Sequence, residues 1–215
     1  MEPKVEIVPF SLSLASIWML SPDFIGLRDK LEEKGYTVKG PEMQRAPDLL
    51  AVKGTVEVYA SPERRLLGVR SQTSSTDVVT AYEELMSINI DVLSIDPTNI
   101  IFHEFIGDLT VSTGANPMDV LAKVSQRVEE VRRIGNVLGV DASSIGLRIA
   151  QKGSNPTSTK WLNLTIEPFF VSHSKRYHIQ IVYRDELHKV KELVKHLDSK
   201  LKQILDELEK DVRTR

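Results

Sequence analysis

Apolar and polar positions change period several times along the chain, and each change marks an element. Across residues 185–212, Leu187, Val190, Val194, Leu197, Leu201, Ile204 and Leu208 recur at spacings that alternate between three and four. That is a heptad seam of roughly three repeats on one long helix, regular enough for self-association. Leu193 and Leu205 widen the stripe, so the same helix is also able to lie on a sheet. Asp185 suits its N-cap, Glu186 suits its positive end, and neither Pro nor Gly interrupts it. At about 1.5 Å per residue it would run roughly 40 Å.

Upstream, residues 4–19 predict a long strand or a bent pair, with Ser11 and Ser13 between Leu12 and Leu14. Ser21-Pro22 opens a helix with Phe24, Leu27 and Leu31 on one face, and Gly35 closes it. A short strand at 36–39, an irregular stretch at 41–47 and a single strand at 49–60 follow. Ser61-Pro62-Glu63-Arg64 then turns the chain into a hairpin partner at 65–72. Val78, Val79, Tyr82, Leu85 and Met86 give a helix over 77–89. After a connector at 90–97, residues 98–113 form a long strand whose Ile100, Phe102, Phe105 and Ile106 suggest a bulge or a change of face midway. Asn116-Pro117 opens a helix that carries Val120, Leu121, Val124, Val128, Val131, Ile134 and Leu138 to Gly139. A strand at 144–151, a loop at 153–159, and a hairpin of 161–171 with 177–183 around Ser172 and Ser174 lead to the long helix.

Two halves with the same order of elements emerge, residues 1–89 and 98–215, each reading strand, helix, several strands, helix. They share no convincing residue identity. The order predicts an α+β fold, a meandering antiparallel sheet with helices on one face. It resembles the TATA-binding-protein-like fold, through the order of elements alone and with no sequence motif. The resemblance implies two half-sheets joined into a curved saddle with helices on its convex side. Ferredoxin-like halves, which need one fewer strand each, are the alternative.

Composition narrows the class more than the function. A chain of 215 residues with 41% hydrophobic and 27% charged residues has the balance of a soluble globular protein. Cysteine is absent, which excludes disulfides, thiolate metal sites and cysteine nucleophiles and fits a cytoplasmic setting. Abundant Glu, Lys and Arg are compatible with a thermophile. The apolar run at 7–20 lacks the basic flank of a signal peptide, and Pro9 lies within it. No apolar run reaches membrane-spanning length, so no membrane partner is expected. A formal net charge of −2 gives no global attraction to nucleic acid, although one basic face would be hidden in that sum.

The candidate chemistry is sparse. His188, Glu192 and His196 share one helix face at metal-ligand spacing, but among Lys189, Lys191, Lys195 and Lys202 they read as a solvated row. His103 and Glu104 point to opposite faces of a strand, so with Asp108 nearby they form no acid–base pair. His173 and His178 flank Lys175-Arg176 at a hairpin tip. There is no phosphate-binding glycine loop, and Ser144 lacks a nucleophile elbow. No catalytic residue, metal or cofactor is therefore assigned. Arg64, Arg65, Arg70, Arg148, Lys152, Lys160, Lys175 and Arg176 are the candidate nucleic-acid contacts, and Trp18, Trp161, Phe169 and Phe170 are the residues suited to stacking. The expectation is a non-catalytic homodimeric binding or assembly factor on a larger partner, nucleic acid or a ribonucleoprotein such as the ribosome. The alternatives are a monomeric nucleic-acid-binding saddle and a small-molecule-binding or metal-dependent enzyme whose site is scattered in sequence.

Overall fold

A computed structural model describes residues 5–38, 48–170 and 175–213, with backbone alone for 48 and 211–213. The elements run β1 (Glu6–Trp18), α1 (Phe24–Glu33), β2 (Thr37–Val38), β3 (Asp48–Lys53), β4 (Val56–Ser61), β5 (Leu66–Ser71) and α2 (Ser75–Ser87). They continue with β6 (Ile100–Ser112), α3 (Pro117–Ser125), α4 (Glu129–Leu138), β7 (Leu147–Ala150), β8 (Trp161–Pro168), β9 (Arg176–Asp185), α5 (Leu187–Lys195) and α6 (Leu197–Arg213). Among the described residues the fold is α+β, as the order of patterns predicts.

All nine strands form one antiparallel sheet in the order β2-β3-β4-β5-β1-β6-β9-β8-β7. The two longest strands, β1 and β6, lie side by side at its centre. From each, the chain passes through helix to an outer strand and meanders back to the flank of its own starting strand. Alternation decides the faces. Leu12, Leu14, Leu67, Val69, Val58, Phe105, Leu109, Ile179 and Ile166 point to the helices and are buried. Helix α2 covers β5 and β1, and α5 covers β6 and β9. The two helices meet across the midline, where Lys191 pairs with Glu83. One apolar core runs through both halves.

Several elements differ from the sequence pattern, each for a local reason. The 185–212 segment is two helices: Asp185 ends β9, Glu186 occupies the N-cap position, and the backbone leaves helical geometry at His196 (φ −107°, ψ 18°). The break lets both halves of the heptad stripe face the chain's own core. Val190, Val194, Leu197, Leu201 and Leu205 are buried there, and Leu187, Leu193, Ile204 and Leu208 pack against it half-buried. The seam is thus a sheet-packing face, and its buried members are not available to a second chain. The 117–139 helix is also broken, between Ser125 and Glu129, where the Ser125 hydroxyl donates to the Ala122 carbonyl at 2.7 Å. The strand at 49–60 is a hairpin folded at Gly54, whose φ of +59° suits glycine.

Cap positions shift too. Asp23, rather than Ser21, accepts from the Ile25 and Gly26 amides at 3.1 Å, and Ser74 caps α2. β6 changes face near its start rather than midway, at Ile101, an extra residue between Ile100 opposite Trp18 and Phe102 opposite Ile17; a second register shift lies in β1 between Pro9 and Ser11, where Phe10 is the extra residue. The irregular 41–47 stretch, Ser172, His173 and Ser174 lie outside the described residues.

Candidate functional site

Helices cover only one face of the sheet. The other face, about nine strands or roughly 38 Å across, is built from the alternate residues of each strand. On β1 these are the short side chains Ser11, Ser13 and Ala15. On the flanking strands they are longer and polar, and they pair with each other. Arg70 bonds Glu57, Arg176 lies 3.8 Å from Glu6, and Arg184 bonds Glu104. Arg148 donates from Nε to the Asn163 side-chain oxygen at 2.7 Å.

Arg184 and Arg70 also lie against aromatic rings, Arg70 with its guanidinium 5.9 Å from the Tyr59 ring. The Arg184 guanidinium lies 4.9 Å from the Phe102 ring and 5.4 Å from the Trp161 ring, and it donates to the Pro156 carbonyl at 2.5 Å. Tyr59 lies across Gly68 and bonds Ser13. A Cβ on Gly68 would come within 2.7 Å of the Ala15 Cβ and 2.8 Å of the Tyr59 ring, so glycine is what lets the ring lie flat.

A more specific cluster sits at one corner of this face, next to the β1 bulge. His178 on β9 has both ring nitrogens occupied. Nε2 is 2.8 Å from Asp108 Oδ1 on β6, and Nδ1 is 3.0 Å from Glu167 Oε1 on β8. Burial alone would push the imidazole pKa down; the two carboxylates outweigh it and hold the pKa above its ordinary value. Phe10, turned outward by the bulge, lies with its centroid 5.7 Å from Phe169 and 6.5 Å from His178. Phe10 is 43% exposed, and Phe170, next in the chain after Phe169, is 67% exposed, which makes this the aromatic corner of an otherwise polar face. The bulge that exposes Phe10 has no periodic signature, and so Phe10 escapes a pattern reading.

The sequence candidates scatter around this geometry. Arg64 and Arg65 lie at the β4–β5 turn, where Arg65 donates to the Met19 carbonyl at 2.6 Å. Lys152 lies in the turn after β7, and Lys160 bonds Glu186 at 2.9 Å. Lys175 leads into β9 beside Arg176 at the opposite end of the sheet. Arg70 lies on β5, which flanks the centre, and Arg148 on β7, an edge strand. Of the stacking candidates, Trp18 is fully buried and Trp161 lies under Arg184, which leaves Phe169 and Phe170. His178 is a strand residue held by carboxylates rather than a solvated turn residue.

The remaining candidates are structural. His103 is buried beneath α2, where its Nδ1 lies 2.7 Å from the Tyr82 hydroxyl; burial lowers its pKa to about 4. It is therefore neutral, and Tyr82 donates to Nδ1. Trp18 donates to the neighbouring Ser16 hydroxyl at 2.8 Å, completing a polar cluster inside the core. Glu104 faces the opposite side of the sheet from His103, as the strand pattern predicts. His188 and His196 are exposed, and among the described residues no three acidic or histidine side chains converge to hold a metal. No helix among them is long and apolar enough to cross a membrane.

A second surface lies on the helix side. Between β7–β8 and α6 is a groove of about 600 Å³ lined by Leu147, Ile149, Leu164, Leu201, Ile204 and Leu208, with Lys200, Gln203 and Glu207 along its α6 rim. It is open because β7 is an edge strand and α6 stops short of covering it. No protein-family model and no curated protein matches the chain.

Proposed function

We propose that the chain is a non-catalytic binding or assembly factor that works as a homodimer and docks on a larger partner through the helix-free face of its sheet. The observation that carries this is the composition of that face. Its arginines and His178 already have carboxylate or amide partners, while Phe10 and Phe169 meet at one corner, with the exposed Phe170 next in the chain. Clustered aromatics beside a half-buried charged group are the usual anchors of a protein contact. Arginines matched by acids have little surplus charge with which to displace counterions from a phosphate backbone. The partner is therefore a protein, and a ribonucleoprotein such as the ribosome fits through its protein part. His178, with a carboxylate at each nitrogen, has no nitrogen directed at a substrate, which favours binding over catalysis.

The symmetric strand order, with the first strands of the two halves paired at the centre, supports a second reading. In it the chain is a monomeric nucleic-acid-binding saddle resembling TATA-binding protein, with Phe10 and Phe170 as wedges between bases. One experiment separates the two. Full-length protein is used to capture partners from its native lysate with and without nuclease, beside the double variant Phe10→Ser with Phe170→Ser. The protein reading expects a nuclease-resistant partner that the double variant loses. A partner released by nuclease, bound with a steep salt dependence, would replace it with the saddle.

A further inference from the structure

Among the described residues, helix α4 turns its apolar stripe to solvent. Val137 is 87% exposed, Leu138 66% and Ile134 57%, and Val140 and Ile145 in the following loop are each more than half exposed. The helix packs chiefly on its own C-terminal loop: Gly135 sits against the Val140 carbonyl and Ala142, and the Val140 amide donates to the Gly135 carbonyl at 3.0 Å. Monomeric proteins seldom leave so continuous an apolar ridge uncovered. The same chain carries its counterpart, the aliphatic groove between β7–β8 and α6.

We propose that the occupant of this groove is helix α4 of a second copy of the chain, so that a two-fold dimer forms by exchange of α4 arms. This deepens the homodimer reading above and rests on it. Charge order supports the choice of occupant. The α6 flank of the groove carries Lys200, Gln203 and Glu207 from its N-terminal end, with Lys210 one turn beyond and 3.7 Å from Glu207, and the exposed ridge of α4 begins Glu130, Arg133. Laid antiparallel, Glu130 meets Lys210 and Arg133 meets Glu207, because both pairs are separated by one helical turn. The same register sets Val137 opposite Gln203 and beside the half-buried Ile204, over the open part of the groove. Asp141, just past the α4 C-cap, then falls opposite Ser199, next to Lys200. A parallel arrangement that sets Val137 on Ile204 would instead place Arg133 against Lys200. Each chain offers one ridge and one groove, so two-fold symmetry makes the contact twice and closes the assembly.

The absence of native cysteine makes the register directly testable. Val137→Cys and Ile204→Cys are introduced together in the full chain, which is oxidised and run under denaturing, non-reducing conditions. Arm exchange expects disulfide-linked dimer. Disulfide confined to single chains would overturn the proposal in favour of α4 folding into its own groove, and no disulfide would overturn the register. In parallel, sedimentation equilibrium is measured for wild type and for Val137→Asp with Leu138→Asp, both at exposed positions that folding does not require. The dimer dissociation constant should rise by more than about a hundredfold. Arg133→Glu should weaken the dimer, and adding Glu207→Arg should restore it. A wild-type chain that stays monomeric at all concentrations would fail the homodimer reading itself. A dimer indifferent to the α4 changes would fail only this assignment and leave the groove to an aliphatic ligand or a foreign helix.

Discussion

His103 makes the core of this fold sensitive to acid, and the size of the effect follows from its position. The ring is 8% exposed beneath α2 and accepts from Tyr82, and its pKa falls from 6.5 to about 4 through loss of solvation. Between those values the unfolded chain binds a proton that the folded chain does not. Stability from this group is therefore fully present above pH 6.5 and is lost as the pH falls toward 4. By pH 4.5 the loss is roughly 2.5 kcal/mol, a sizeable part of the stability of an ordinary domain. His103→Gln keeps an acceptor for Tyr82 and removes the titration. It should cost about 1 kcal/mol at pH 7.5 and then lose less stability than wild type on going to pH 4.5. Urea unfolding at the two pH values, followed by tryptophan fluorescence, measures both, since Trp18 reports from the same cluster. Acid losses equal to within about 0.5 kcal/mol in the two proteins would refute the reasoning, because carboxylate titrations common to both cancel in the comparison.

Other perturbations test other parts of the structure. Leu201→Ala should destabilise the chain by about 2–5 kcal/mol in urea or thermal unfolding; a loss of self-association with no loss of stability would contradict its place in the core. Gly68→Val should cost about 1–3 kcal/mol, since its Cβ meets Ala15 and the Tyr59 ring, and should free Tyr59 as read by its fluorescence or ring resonances. His178 acts in the opposite sense to His103: its raised pKa gives stability that is full below 6.5 and lost as the pH rises through the folded value. His178→Gln should therefore remove a stability increment that wild type shows at pH 6 and loses toward pH 9.

Most of the fold was legible because its strands alternate cleanly and its turns carry strong markers. Leu12 and Leu14 against Ser11 and Ser13, Gly35 after α1, and Pro117 at the start of α3 each state their role locally. The misses have a common cause, in that periodicity does not register where a helix changes direction. The 185–212 stripe stays in phase across His196, so a sheet-packing pair of helices has the same pattern as one coiled-coil helix. Val128 and Ile134 likewise continue a stripe that the break at 126–128 turns from core to solvent. The candidate site was harder still. Its central features, Phe10 at a bulge and His178 between Asp108 and Glu167, join residues from four strands, and only the sheet order brings them together. Basic residues counted along the chain look like a surface, whereas in space Arg70, Arg176 and Arg184 already have acidic partners.

The central claim, that the helix-free sheet face is the working surface, is met most directly by a gradient measurement. Native lysate carrying full-length wild type or the Phe10→Ser, Phe170→Ser variant is sedimented through sucrose, and the position of the chain is followed by immunoblot. Wild type should travel with a heavier particle while the variant remains at about the mass of the free dimer. Identical sedimentation of the two, whether heavy or light, would contradict the account.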